Sequence, residues 1–79
     1  MKMYVARYPD NSGFLLSHKR LKYNKKTGYI YVRLKNEWNV DYNINHGQPH
    51  PDTVRFSVKD APEDWLTMKP GDIREVNVQ

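Results

Sequence analysis

The chain has no cysteine. That excludes disulfide staples, thiolate nucleophiles and cysteine-based zinc sites together. A small secreted domain usually leans on such staples, so a cytoplasmic location is expected. Long apolar runs are absent as well. None approaches the roughly 20 residues of a membrane span, and no apolar stretch follows Met1-Lys2 in the manner of a signal peptide. No membrane association is therefore expected. Aliphatic residues are scarce and the mean hydropathy is −0.93, close to a disordered composition. Aromatic residues make up 13% of the chain and apolar residues alternate regularly, so a folded domain with a core of Trp and Tyr is expected instead. Seventy-nine residues make one small domain, 1–79. Such a chain buries only about 60–65% of its unfolded surface. That leaves little room for a deep, water-excluded catalytic pocket.

Acidic residues are nearly missing from the first half. Residues 1–35 hold nine bases (Lys2, Arg7, Lys19, Arg20, Lys22, Lys25, Lys26, Arg33, Lys35) against Asp10 alone. Residues 36–79 hold four bases and eight acids, so +8 and −4 give the overall +4. Six tyrosines lie along the chain, several among those bases. A basic, tyrosine-rich surface attracts phosphate backbones and acidic partners.

The apolar period is 2 through most of the chain, which is the period of a strand. Lys2 to Tyr8 reads as a strand, 9–13 (Pro-Asp-Asn-Ser-Gly) as a turn, and Phe14-Leu15-Leu16 as the return of a hairpin. Lys19 to Tyr23 reads as a further short strand, followed by a turn over 24–28. Tyr29 to Lys35 is the clearest strand. Ile30, Val32 and Leu34 alternate there with Tyr29, Tyr31, Arg33 and Lys35. Trp38 to Ile44 follows, with Trp38, Val40, Tyr42 and Ile44 on one face. Pairing these two strands buries both apolar faces in one core, and because the chain has few other large apolar groups Trp38 and Trp65 are both expected to be buried. The loop 45–52 carries Gly47, Pro49 and Pro51 and breaks any ladder. Thr53 to Val58 is expected as a strand with Val54, Phe56 and Val58 on one face. Asp60 is expected to cap a short helix near 61–66. Lys69-Pro70-Gly71-Asp72 is expected as a type II turn, and Ile73 to Val78 as the last strand. The fold class expected is mainly β: a small, bent antiparallel sheet or half-barrel of five or six strands with one short helical turn.

The stripe Tyr29, Tyr31, Arg33, Lys35 is the strongest candidate for chemistry. Tyrosine rings on a sheet face stack bases, and neighbouring bases contact phosphate. Lys22, Lys25 and Lys26 extend the positive field. The plain alternative is that Tyr and Lys are ordinary occupants of solvent-facing strand positions, where lysine also discourages edge-to-edge aggregation. His46, His50 and Asp52 lie within seven residues, but Gly47, Pro49 and Pro51 forbid the helix that would aim both rings at one metal. No metal or other cofactor is expected. Ser12, Ser17 and Ser57 lack a base pattern around them, and Glu63 and Asp64 fit best as first-turn acids of the short helix. No enzymatic activity is expected.

Met3-Tyr4-Val5-Ala6-Arg7 with Asp10 and Gly13-Phe14-Leu15-Leu16 resembles the start of short uncharacterised proteins of phages and mobile elements of gut bacteria. Pro62-Glu63-Asp64-Trp65-Leu66-Thr67 with Asp72-Ile73-Arg74-Glu75-Val76 is similar to their ending. The resemblance covers about a third of the chain and carries no functional residue. It implies an accessory protein that binds and blocks host machinery. Two functions follow as expectations. One is a non-enzymatic module binding nucleic acid through the basic tyrosine face. The other is an inhibitor of a host enzyme, docking on an acidic protein surface with no nucleic acid involved.

Overall fold

A computed structural model of the chain describes residues 1–40 and 53–77. Strands β1 (Lys2–Arg7) and β2 (Gly13–Ser17) form the expected hairpin, with Arg7 opposite Phe14 and Tyr4 opposite Ser17. The turn between them is closed by Asp10, whose Oδ1 accepts the Ser12 N–H at 2.9 Å, and by Asn11 at φ 64°. Gly13 has a different task from closing this turn. A Cβ there would stand 2.3 Å from the Phe56 carbonyl oxygen, so glycine is what lets β6 (Thr53–Ser57) approach β2.

The connection after β2 turns on Ser17, which is buried and accepts the Lys19 N–H at 2.9 Å. It leads to a second ladder of β3 (Leu21–Asn24), β4 (Tyr29–Leu34) and β5 (Glu37–Val40). β7 (Ile73–Asn77) then returns beside β1. Among the described residues the fold is mainly β: a four-stranded antiparallel sheet ordered β6-β2-β1-β7 and a three-stranded antiparallel sheet ordered β3-β4-β5. The two sheets are not closed into a barrel. Five or six strands were expected on sequence; the described residues form seven.

The two central strands of the four-stranded sheet, β1 and β2, are covered on both faces. Met3, Val5, Phe14 and Leu16 pack on one side with Trp65 and Met68. Ala6, Tyr8 and Leu15 pack on the other, against Leu21, Ile30 and Val32 of the three-stranded sheet. All five residues of β2 are therefore buried, which suits an unbroken Phe-Leu-Leu run rather than an alternating one. Each fully buried side chain of this size contributes about 1.5–3 kcal/mol through removal from water.

The expected short helix is present as two 3₁₀ turns, Val58–Asp60 and Glu63–Thr67. Pro62 stands between them and precludes one continuous helix. Asp60 does not cap the second turn, which opens after Pro62 with no side-chain cap. Ser57 caps the first turn, accepting the Asp60 N–H at 3.3 Å, and Asp60 Oδ2 accepts the Ser57 hydroxyl at 2.9 Å. Trp65 anchors the second turn, its ring edge-on to Phe14 (5.6 Å) and Phe56 (5.5 Å). β6 ends at Ser57, so Val58 opens the first 3₁₀ turn and is 39% exposed, while Val54 at the sheet edge is 54% exposed. Turn 69–72 has Gly71 at φ 83°, as a type II turn requires, with the Asp72 N–H donating to the Lys69 carbonyl at 2.9 Å.

One register differs from the sequence expectation, and it matters most. Leu34 pairs with Glu37, leaving a two-residue loop of Lys35 (φ 49°) and Asn36 (φ 64°). Two positive φ values in a two-residue loop make a type I′ turn. Every cross-strand pair then joins an odd to an even residue: Arg33 with Trp38, Tyr31 with Val40. Trp38 and Val40 thus share a face with Tyr31 and Arg33, not with Ile30 and Val32. Trp38 is half-buried outside the core, whereas Trp65 is buried as expected. A common apolar face would have needed a loop of odd length.

Candidate nucleic-acid interface

The inner face of the three-stranded sheet is committed to the core, so its outer face is the one left to act. Lys22 of β3, Tyr29, Tyr31 and Arg33 of β4, and Trp38 and Val40 of β5 fall on that outer face by register. The order is built locally. Asn24 Oδ1 accepts the Lys26 N–H at 2.9 Å, its carbonyl accepts the Gly28 N–H at 2.8 Å, and Gly28 at φ 76° completes the turn. This turn sets Lys22 opposite Tyr31 and Asn24 opposite Tyr29. The type I′ turn at the other end of β4 sets Trp38 opposite Arg33.

The side chains form one basic–aromatic cluster. Lys22 Nζ lies 4.8 Å from the Trp38 ring centroid and 5.9 Å from that of Tyr31. Arg33 Cζ lies 5.2 Å from the Trp38 centroid. All three are cation–π distances, worth about 0.5–1 kcal/mol each where solvent is near. The Tyr31 hydroxyl donates to Thr27 Oγ1 at 3.2 Å, which fixes its ring towards the β3–β4 turn. Tyr29 is 41% exposed.

Of the candidates read from sequence, Lys22, Tyr29, Tyr31 and Arg33 are brought together on this face. Lys25 and Lys26 stand exposed in the β3–β4 turn, at one end of β4. Lys35 is a correction. Its positive φ ends the alternation at Leu34, so it sits in the β4–β5 turn at the other end of β4 and not on the face itself. Trp38 is the residue the sequence reading misplaced. The signal was the short Lys35-Asn36 connection, whose even length reverses which side of β5 meets Tyr31 and Arg33.

No described carboxylate forms an ion pair with a cation of this surface. Among the described residues the one ion pair is Lys2–Glu75, 2.7 Å apart, between β1 and β7 of the other sheet. It raises the Lys2 pKa through hydrogen bonding and charge attraction to Glu75. The described residues contain no cluster of metal-ligating side chains. His46, His50 and Asp52 lie outside the described residues. No described helix is long and apolar enough to cross a membrane.

Concavities formed by described residues lie elsewhere. A groove of about 590 Å³ runs between the second 3₁₀ turn and β7, lined by Leu16, Phe56, Trp65 and Val76 among others. A smaller, polar cleft of about 410 Å³ is lined by Tyr4, Arg20, Leu21, Ile73 and Glu75. Neither gathers a nucleophile and a base. Compared with protein-family models, with curated proteins and with solved structures, the chain matches none.

Proposed function

We propose that this domain is a non-enzymatic nucleic-acid-binding module and that the outer face of β3-β4-β5 is its contact surface. The observation that carries this is the register of β5, which adds Trp38 to Tyr29, Tyr31, Lys22 and Arg33 on one side of one sheet. Aromatic rings offer stacking surface to bases, and the cations beside them offer contacts to phosphate. Lys25, Lys26 and Lys35 in the two flanking turns enlarge the positive field and speed encounter with a polyanion. The terminal motifs that resemble short phage and mobile-element proteins make an accessory role in a bacterial cytoplasm the setting we favour, in keeping with a chain without cysteine.

Titration of the native protein with single-stranded and duplex DNA and RNA, at low and at moderate salt, tests this. Binding whose log K falls linearly with log salt is the expected result, with a slope near −0.7 for each single-strand phosphate engaged. No binding at low salt overturns the reading. It would leave an acidic protein surface, the inhibitor of a host enzyme, as the function to pursue.

A further inference from the structure

We infer that the preferred ligand of this face is a short single strand, about three to four nucleotides long, laid along β4. The inference rests on the nucleic-acid reading above and goes further in strandedness, site size and direction. Strandedness follows from the rings. Tyr29 is 41% exposed and Trp38 is half-buried, its ring accompanied by Lys22 and Arg33. Such rings gain from a base only when the base offers a free π-face. A duplex keeps those faces stacked inside and presents phosphates and groove edges. No described element of this face projects as a helix or ribbon that would enter a groove.

Site size follows from the ladder. β4 spans six residues, or roughly 20 Å at about 3.3 Å per residue. Tyr29 and Tyr31 are two residues apart, so their Cα atoms are separated by about 6.7 Å along the strand. Outward positions on β4 recur at that interval, each matched to one nucleotide of an extended strand. Three such intervals fill β4. Direction follows from the ends: Lys25 and Lys26 occupy the turn before β4 and Lys35 the turn after it, all exposed. A backbone laid along the strand meets cations at both limits, while Lys22 and Arg33 flank its middle. The neighbouring strands supply the third ring, Trp38, beside Arg33.

The test is a length series. Dye-labelled oligo-dT and oligo-rU of 2 to 12 nucleotides, and duplexes of matched length, are titrated at low salt into the native protein and four variants: Trp38→Ala, Tyr29→Ala, Lys25→Glu/Lys26→Glu and Lys35→Glu. Single strands are expected to bind at least about tenfold more tightly than duplexes. Affinity should climb steeply to about four nucleotides and afterwards rise only with the number of binding registers. Trp38→Ala or Tyr29→Ala should weaken single-strand binding by about 5- to 100-fold and leave duplex binding unchanged. Reversing either set of turn lysines should weaken binding of a four-nucleotide strand. Tyr29→Ala is the control should Trp38→Ala unfold, because the Tyr29 ring lies in the open. Equal affinity for duplex and single strand, or equal losses on both in the ring variants, would overturn the inference and leave the wider nucleic-acid reading standing. An affinity that keeps climbing steeply past eight nucleotides would overturn the site size. Failure of every oligonucleotide to bind would remove both readings.

Discussion

Trp38 stands directly opposite Arg33 across the β4–β5 ladder, with the guanidinium carbon 5.2 Å from the indole centroid. This pairing separates the two tryptophans of the chain by role. Trp65 is buried and touches Phe14 and Phe56 edge-on. Trp38 lies on the outer face, held by cations. Trp65→Ala should therefore cost about 3–5 kcal/mol, enough to unfold a domain of this size, because it removes the anchor of a thin core layer. Trp38→Ala should cost only about 1–2 kcal/mol, the loss of partial burial and of cation–π contact. Urea unfolding of both variants checks this. Equal destabilisation would mean that Trp38 is a core residue and that the β4–β5 register is wrong.

The Lys35-Asn36 turn gives a prediction of opposite sign. Left-handed backbone costs an ordinary L-residue roughly 1–2 kcal/mol, and Lys35 at φ 49° bears that strain. Asn-Gly is the favoured pair for a type I′ turn. Lys35→Asn combined with Asn36→Gly should stabilise the protein by about 0.5–1 kcal/mol, seen as a higher melting temperature. Asn36→Val, which puts a β-branched side chain at φ 64°, should destabilise it by at least about 1 kcal/mol.

The turns and the strands they bound were legible because each rests on local chemistry: Asn24 with Gly28, Pro70 with Gly71, and the Ile30-Val32-Leu34 alternation. The division into two sheets was less so, although the Phe14-Leu15-Leu16 run, apolar on both sides, already asks for cover on both faces. The register of β5 was open to reading: strands bounded at 29–35 and 38–44 already leave an even, two-residue loop, which puts Trp38 on the outer face, and the expectation of one shared apolar face overrode that parity. The helix near 61–66 was read from first-turn acids and a proline, signals that a 3₁₀ turn shares with an α-helix. At the site, Tyr29, Tyr31 and Arg33 were legible from alternation within β4 and Lys22 from the run of bases before it, whereas Trp38 needed the parity of the β4–β5 loop to be followed through.

Gly13 tests the packing of β6 on β2. Its missing Cβ would sit 2.3 Å from a backbone oxygen, which cannot rotate away as a side chain would. Gly13→Ala should therefore force β6 outward and cost about 1–3 kcal/mol or more. Thermal denaturation reads the loss. Amide hydrogen exchange should show it concentrated in β6 and the edge of β2 while β3-β4-β5 keeps its protection. Exchange that rises equally in both sheets would argue against this local role.

The first turn gives the acid-range behaviour. Hydrogen bonding from the Ser12 side chain, and then from its backbone N–H at 2.9 Å, holds the Asp10 carboxyl below its ordinary value. A folded-state pKa below the unfolded one means stability that is present above the unfolded value and is lost as the pH falls through the folded one. The protein should thus lose a small increment of stability on acidification below about pH 4. Asp10→Asn should be less stable than the parent at neutral pH, with the difference narrowing as the parent's carboxyl protonates. Because Asp10 is exposed, the increment should be small. Chemical denaturation at several pH values measures it, and a difference that widens on acidification would contradict the assignment.

Charge and rings on the outer face should act on different steps of binding. Lys22 and Arg33 supply field and phosphate contact, while Tyr29, Tyr31 and Trp38 supply stacking that exists only once a strand has landed. Reversing the charges, in Lys22→Glu with Arg33→Glu, should slow association with a single strand and flatten the salt dependence by about 0.7 per lost contact. Truncating a ring should leave the association rate near the parent's and raise the dissociation rate. The charge variant also removes the cations from above Trp38, so a melting curve must first show that the sheet survives. The loss expected there is modest, since each cation–π contact is worth about 0.5–1 kcal/mol. Stopped-flow mixing, followed by tryptophan fluorescence, separates the two rates, because Trp38 reports contact while buried Trp65 supplies a constant background. If reversing the charges changed only dissociation, or removing a ring changed only association, the division of labour between cations and rings proposed for this face would be wrong.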